Sequence, residues 1–147
     1  MPDECTVRRR DSMLGLIVTG HGHFASGLTS SLELIAGDLQ NYRAVDFEAS
    51  DSVDDLRKKL EKAFDELKEC QGILVCSDLA GGSPFKTAVE VGFPRGNVEV
   101  VAGSNLPMLI EALGMRGAMS LQEIKEHCMG MIADTCKDIK AEFNLAG

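Results

Sequence analysis

Basic residues are scarce in this sequence, and long apolar runs are absent. The chain has 15 Lys and Arg against 23 Asp and Glu, which gives a formal net charge of −8 at pH 7. Nucleic-acid binding needs a cationic surface that displaces phosphate counterions, so this balance argues against a nucleic-acid partner. No apolar run reaches the roughly 18 residues that a membrane span requires. The basic run at residues 8–10 does not begin a secretory signal, because the apolar stretch behind it breaks at Thr19-Gly20-His21.

The cysteines do not form a recognisable pattern. There are five, at positions 5, 70, 76, 128 and 136, and none lie in a CxxC arrangement. An odd count without that spacing indicates neither a disulfide framework nor a zinc cluster. We therefore expect reduced thiols, no metal site and a cytoplasmic protein.

The length and patterning predict one domain. A chain of 147 residues with 44% apolar content can bury a proper core. Residues 1–12 are polar and aperiodic, so we expect a flexible extension there and a single domain over residues 13–147, with Met13 as a candidate natural start.

Short apolar runs alternate with amphipathic segments. Apolar runs predict strands at residues 13–18 and 72–77, and the segments at residues 42–47 and 98–102 are predicted as two further strands. The first predicted helix spans about residues 25–36, with Leu28, Leu32 and Ile35 on its inner face. Further helices are predicted after caps at Ser52 and Ser83, near Leu106 and after Ser120. One face of the last helix carries Leu121, Ile124, Cys128, Met131, Thr135, Ile139 and Phe143. Cys128 and Cys136, eight residues apart on that face, are expected in the core. This order predicts an α/β fold: an open, doubly wound, mainly parallel sheet of about four strands with helices on both faces.

Two unusual loops should meet at one edge of this sheet. If the first strand is central, the second and third strands flank it, and the loops after strands one and three lie at the switch point where such sheets bind ligands. The first loop places His21 between Gly20 and Gly22, which leaves its imidazole uncovered. For this loop alone, a tight turn with a surface histidine that has no function is about as plausible as a functional site.

The second loop, residues 77–85, contains a carboxylate at Asp78, two glycines and a predicted helix start. Free N–H groups at a helix start bind anions, although a flexible turn with an N-cap is the better explanation of this loop taken by itself. Together the loops favour a site in which His21 is the nucleophile and Asp78 orients its ring. The Ser83 hydroxyl, or the backbone N–H groups of Ser83 and Phe85, would hold phosphoryl oxygens; Pro84 has no N–H to offer.

At these residues the sequence resembles the mannose-type IIA family of the phosphoenolpyruvate-dependent sugar phosphotransferase system. The resemblance spans about residues 13–140 and rests on three motifs: residues 20–22, Asp78 with the Gly81-Gly82-Ser83-Pro84-Phe85 run, and residues 102–109. It implies that the phosphocarrier HPr phosphorylates His21, that Asp78 lies beside it, and that Ser83, with Gly82 and Phe85, contacts the phosphoryl group.

The resemblance also implies partners. A IIB component would accept the phosphoryl group, membrane IIC and IID components would be served indirectly, and the protein would be a homodimer with exchanged C-terminal segments. No small cofactor is implied, and no IIB domain follows in the sequence, so a separate IIA subunit is expected. Residues expected to contact partners are His23, Phe24, Leu79 and Asn105. The phosphotransfer domain of a dihydroxyacetone kinase system shares the fold and is an alternative within this class.

Three hypotheses from other classes remain. One is a non-catalytic binding module, which would need His21 to be idle and which a phosphorylation assay would distinguish. Gly20, Gly22 and Ala25 fit a G-x-G-x-x-A dinucleotide fingerprint, with Asp46 as the ribose-binding acid, although a histidine would intrude on the pyrophosphate. A metal site on His21 and His23 would have only half of a usual ligand set. Position in the loop favours His21 over His23 as the nucleophile, because His23 lies at the start of a helix and should point toward the rim of the site.

Overall fold

The computed structural model describes residues 13–144, and the predictions for residues 1–12 and for the last three residues lie outside this range. The strands are β1 (Gly15–His21), β2 (Tyr42–Phe47), β3 (Ile73–Ser77) and β4 (Val98–Val101). The helices are α1 (Phe24–Ala36), α2 (Val53–Glu66), α3 (Ser83–Gly92), α4 (Leu106–Met115), α5 (Leu121–Thr135) and α6 (Ile139–Glu142), with a 3₁₀ turn at Phe93–Arg95. Within residues 13–144, no helix combines the length and apolar content that crossing a bilayer demands.

The four strands form one parallel sheet in the order β2-β1-β3-β4. This confirms the predicted central position of β1. Thr19 of β1 pairs with Val45 on one side and with Ser77 on the other, and His21 pairs with Phe47. The carboxyl ends of β1 and β3 are therefore adjacent, which brings the two unusual loops together.

Both faces of the sheet are covered by helices, as predicted. Alternate residues of β1 serve opposite faces: Leu16 and Val18 pack with α1, α4 and α5, whereas Ile17 packs with α2 and α3. Each large apolar side chain buried in this way contributes about 1.5–3 kcal/mol relative to exposure. The two buried layers fix the positions of β1 and β3, and these strands in turn place the loops at their carboxyl ends.

Two helix boundaries differ from prediction. The predicted N-cap of α3, Ser83, is wrong: Gly82 is the N-cap in extended conformation, its carbonyl accepts from Lys86 N, and Ser83 is the first helical residue. The last predicted helix is also wrong beyond Thr135, because Cys136 adopts an extended conformation there. The chain then starts the separate helix α6, whose first turn is capped by the Asp138 carboxylate.

Three side chains predicted on inner helix faces are exposed. Ile35, at the end of α1, is 57% exposed, and Ile139 and Phe143 are also exposed because α6 leaves the line of α5. Cys136 is exposed for the same reason, whereas Cys128 is buried as predicted. Among the described residues, the four cysteines form no disulfide.

Candidate active site

His21 and Asp78 form a close pair at the carboxyl ends of β1 and β3. The Asp78 Oδ2 atom accepts two hydrogen bonds, one from the backbone N–H of His21 and one from its ring Nδ1, both at 2.8 Å. The His21 side chain is 45% exposed, whereas that of Asp78 is only 12% exposed. The pair predicted from the sequence therefore combines an accessible imidazole with a largely covered carboxylate.

The backbone holds Asp78 in place from two sides. Its Oδ1 atom accepts from Leu79 N at 2.7 Å, and its carbonyl oxygen accepts from Gly103 N at 2.9 Å. The adjacent Ser104 N donates to the Ser77 carbonyl at 3.2 Å, so the loop after β4 is fastened to the end of β3. The third motif, residues 102–109, thus contributes to the site by fixing the backbone that carries Asp78.

The protonation state of Asp78 determines the tautomer of His21. Partial burial opposes ionisation and is the largest single influence on the pKa of Asp78, but the hydrogen bonds from His21 and Leu79 outweigh it, so the pKa lies below its ordinary value of 3.8. An ionised carboxylate only accepts hydrogen bonds. In neutral His21 the ring proton is therefore on Nδ1, and Nε2 keeps its lone pair.

The free edge of the His21 ring faces Gly82 at the start of α3. A Cβ atom on Gly82 would lie 2.8 Å from His21 Cε1 and 3.5 Å from Nε2, so only glycine leaves the ring in this position. The first-turn N–H groups of Ser83 and Phe85 have no acceptor within the helix, and Pro84 has no N–H. Such a helix start favours an anion, and it lies next to Nε2.

Phe47 is part of the site and was not predicted. Its ring lies 5.9 Å from the His21 ring, centroid to centroid, at an angle of 59°. Its carbonyl accepts from Gly22 N at 2.7 Å, and Gly22 adopts a φ of +58° that disfavours other residues. The pairing of β2 with β1 was the only signal for this contact, because Phe47 stands opposite His21 in that register.

His23 belongs to a different cluster from His21. It is the N-cap residue of α1, and its ring Nδ1 lies 3.3 Å from Asp46 Oδ2, on the β2 side of the sheet edge. The other Asp46 oxygen accepts from Ser26 N at 2.9 Å and so caps α1 from the neighbouring strand. The structure therefore does not bring the two histidines to one anion site.

The other predicted contact residues occupy varied positions. Leu79 is exposed, and Phe24 is partly buried against the core below α1. Asn105 caps α4 by accepting from Met108 N, and its side-chain amide donates to Thr135. Both polar ends of Asn105 are thus engaged in the fold, while contact of these residues with a partner stays a prediction.

The dinucleotide alternative conflicts with the packing. A Cβ on Gly20 would lie 2.5 Å from the Phe24 ring, so that ring covers the glycine that the fingerprint would assign to close cofactor approach. Asp46 is the expected ribose-binding acid, but its Oδ1 accepts from Ser26 N and its Oδ2 contacts the His23 ring, so both carboxylate oxygens are already engaged.

Comparison with known proteins identifies the family. The pattern of the family described as "PTS system fructose IIA component" matches residues 15–129. The chain is 29% identical over 119 residues to the fructose-specific EIIA component of Bacillus subtilis, covering 81% of this chain and 82% of that protein. It is 29% identical over 129 residues to the sorbose-specific EIIA component of Lacticaseibacillus casei, covering 88% and 87%. It is 31% identical over 103 residues to the mannose-specific EIIAB component of Escherichia coli, covering 70% of this chain and 32% of that longer protein.

Solved structures show the same fold. The EIIA component from Streptococcus agalactiae superposes with a TM-score of 0.79 and 30% identity, covering 88% of this chain and 99% of that one. A mannose/sorbose-specific IIA subunit from Enterococcus faecalis gives 0.77 and 27%, covering 86% and 94%. This chain therefore belongs to the mannose, fructose and sorbose family of IIA components of the sugar phosphotransferase system.

Proposed function

We propose that His21 carries the phosphoryl group on Nε2, taking it from phosphorylated HPr and passing it to a IIB component for sugar uptake. One observation carries this proposal: Asp78 Oδ2 accepts from both the backbone N and the ring Nδ1 of His21. That double contact fixes the ring and leaves Nε2 as the nucleophile. The exposure of the imidazole suits transfer between proteins, since the reacting nitrogen must meet a residue of another chain.

Transfer of the phosphoryl group to His21 requires no movement of a proton. The Nε2 lone pair of neutral His21 attacks phosphorus, the Nε2–P bond forms, and the donor's N–P bond breaks with its electron pair returning to the donor nitrogen. The His21 ring becomes a phosphorylated imidazolium, because Nδ1 keeps its proton. The Asp78 carboxylate, 2.8 Å from Nδ1, compensates the positive charge that develops on the ring.

The phosphoryl oxygens would be held at the start of α3. Ser83 and Phe85 offer first-turn N–H groups, and the Ser83 hydroxyl is not used as a helix cap. Because Gly82 has no side chain, the phosphoryl group can lie between Nε2 and these donors. Transfer between two imidazoles is nearly isoenergetic, so positioning and fixed N–H donors are what the protein supplies, and no metal or small cofactor is required.

Family membership supports a proposal for the remaining partners. We propose that residues 13–147 act as a cytoplasmic IIA domain that serves membrane IIC and IID components through IIB, and that residues 1–12 are dispensable. We also propose a homodimer. Exposed apolar side chains of α5 and α6 support it, because Met129, Ile139 and Phe143 would be covered by a second copy.

Two single variants test the assignment. With phosphorylated HPr as donor, His21→Ala should abolish the acid-labile phosphoprotein, and His23→Ala should at most slow its formation. Circular dichroism of both variants controls for folding. Labelling of His21→Ala together with loss of labelling in His23→Ala would overturn the site while leaving family membership intact.

A further inference from the structure

A second cluster of ligating side chains lies on the β2 side of the sheet edge. His23, Asp46 and Glu48 each place one nitrogen or carboxylate oxygen so that the three atoms lie within 4.8 Å of one another. The ring Nδ1 is 3.3 Å from Asp46 Oδ2, and Nε2 is 3.8 Å from Glu48 Oε1. Among the described residues no other His, Cys, Asp and Glu side chains form such a group of three.

These separations are close to those of a metal site. Bonds of about 2.0–2.1 Å in tetrahedral geometry place ligand atoms about 3.3–3.4 Å apart. The separation of His23 Nδ1 from Asp46 Oδ2 already has this value. An ion takes only one nitrogen of a ring, so Glu48, which faces Nε2 at 3.8 Å, must turn its carboxylate toward an ion held by Nδ1 and Asp46. The His23 and Glu48 side chains are 74% and 46% exposed, so both can rotate inward at little cost.

Asp46 supplies the fixed part of the cluster. Its Oδ1 atom accepts from Ser26 N, which anchors the carboxylate and leaves Oδ2 directed at His23. A carboxylate held by a second hydrogen bond is how proteins orient a metal ligand.

The surrounding charges favour a cation. The nearest opposing group is Lys59, whose Nζ lies 2.6 Å from Asp51 Oδ2 and 3.3 Å from the Asp46 carbonyl oxygen. Its charge is therefore matched by Asp51, and the side-chain partner that Asp46 and Glu48 share is His23. Two neighbouring carboxylates attract a divalent ion, which a deprotonated ring nitrogen can then bind.

We propose that His23, Asp46 and Glu48 bind a divalent transition-metal ion, with Zn²⁺ as the best match. One nitrogen and two carboxylate oxygens suit Zn²⁺ better than Mg²⁺ or Ca²⁺, which take oxygen ligands. Three protein ligands leave a position for water. The site uses neither His21 nor Asp78, so it is independent of the proposed phosphotransfer chemistry. It lies on the same edge of the sheet, since Asp46 pairs with Gly20 and Phe47 with His21.

Titration with Co²⁺, a spectroscopic substitute for Zn²⁺, tests the site in the full chain. A Cys5→Ser, Cys136→Ser background removes one thiol outside the described residues and the exposed one at position 136. We expect saturable visible absorption bands that Zn²⁺ abolishes in competition. His23→Ala and Glu48→Gln should each weaken binding by at least about tenfold. Circular dichroism should show that both exposed substitutions leave the fold intact.

Two matched controls identify the residues. His127 pairs with one carboxylate, Glu111, at 2.8 Å, so His127→Ala removes a surface histidine from a cluster with one ligand fewer. It should leave Co²⁺ binding unchanged, as should His21→Ala. Absence of saturable binding below about 1 mM would overturn the proposal. Retention of the bands in His23→Ala, or their loss in His21→Ala, would also overturn it.

Discussion

Replacing Gly82 by alanine perturbs the His21 ring without removing any group from it. The backbone at Gly82 is extended, with φ of −72° and ψ of 166°, so alanine is allowed there. The new Cβ would lie 2.8 Å from His21 Cε1, however, whereas carbon atoms pack best at about 3.5–4.0 Å. The ring must move by about 0.7 Å to relieve this contact.

That movement acts on the hydrogen bond between His21 and Asp78. Nδ1 and Oδ2 are 2.8 Å apart, and a shift of this size carries them toward the limit of a useful hydrogen bond. A misplacement of about 1 Å at a reacting group can reduce a rate by about 10²-fold. We therefore expect Gly82→Ala to slow phosphorylation by phosphorylated HPr about ten- to one-hundredfold, measured by rapid quench.

Gly81→Ala is the matched control. Its φ of +78° makes alanine strained by about 1–2 kcal/mol, but a Cβ there would contact nothing within 4 Å. Gly82→Ala loses a comparable amount, about 0.5–1 kcal/mol, from a poorer N-cap. Both variants should therefore melt a few degrees lower, and only Gly82→Ala should lose most of its rate. Equal rates in the two variants would refute the steric argument.

Three further predictions concern charge and burial. Asp78→Asn should keep the fold by circular dichroism but slow phosphorylation about ten- to one-hundredfold, and a wild-type rate would contradict the orienting role of the carboxylate. Because the folded-state pKa of Asp78 is lowered, its contribution to stability is present above the unfolded-state pKa of about 3.9 and is lost as the pH falls through the folded-state value. The melting-temperature difference between wild type and Asp78→Asn should therefore shrink over that acid range, and a constant difference would refute the linkage. Buried Arg116 donates to the carbonyls of Gln40 and Asn41, so Arg116→Ala should lower the free energy of unfolding by about 2–4 kcal/mol in urea titrations. Arg57→Ala removes only the exposed Arg57–Glu90 ion pair and should lower it by less than about 1 kcal/mol. Equal losses in the two variants would contradict this.

The sheet was predictable because β1 and β3 are short apolar runs that end at turn signals, and because strand-like segments alternate with helical ones along the chain. Tyr42–Phe47 was predicted to the residue, and the order with β1 central follows from alternation and crossover handedness. The end of α5 was missed because the apolar spacing continues through Ile139 and Phe143. Asp138 was the available signal, since an Asp in the middle of such a pattern can start a new helix.

The site was predictable only in part, for a physical reason. His21 and Asp78 each follow a strand, so topology alone brings them together. The steric role of Gly82 depends on the distance between two loops to within tenths of an ångström, and no residue spacing in the sequence encodes that distance. The pairing of His23 with Asp46 depends on which way one side chain turns at the helix start.

The most direct test of the central claim is to identify the phosphorylated nitrogen in the intact protein. Imidazole ¹⁵N and ³¹P NMR after transfer from phosphorylated HPr distinguishes Nε2 from Nδ1 and His21 from His23. The structure predicts one phosphoryl group on Nε2 of His21, with the Nδ1 proton retained opposite Asp78. A phosphoryl group on Nδ1 of His21, or on either nitrogen of His23, would contradict the account.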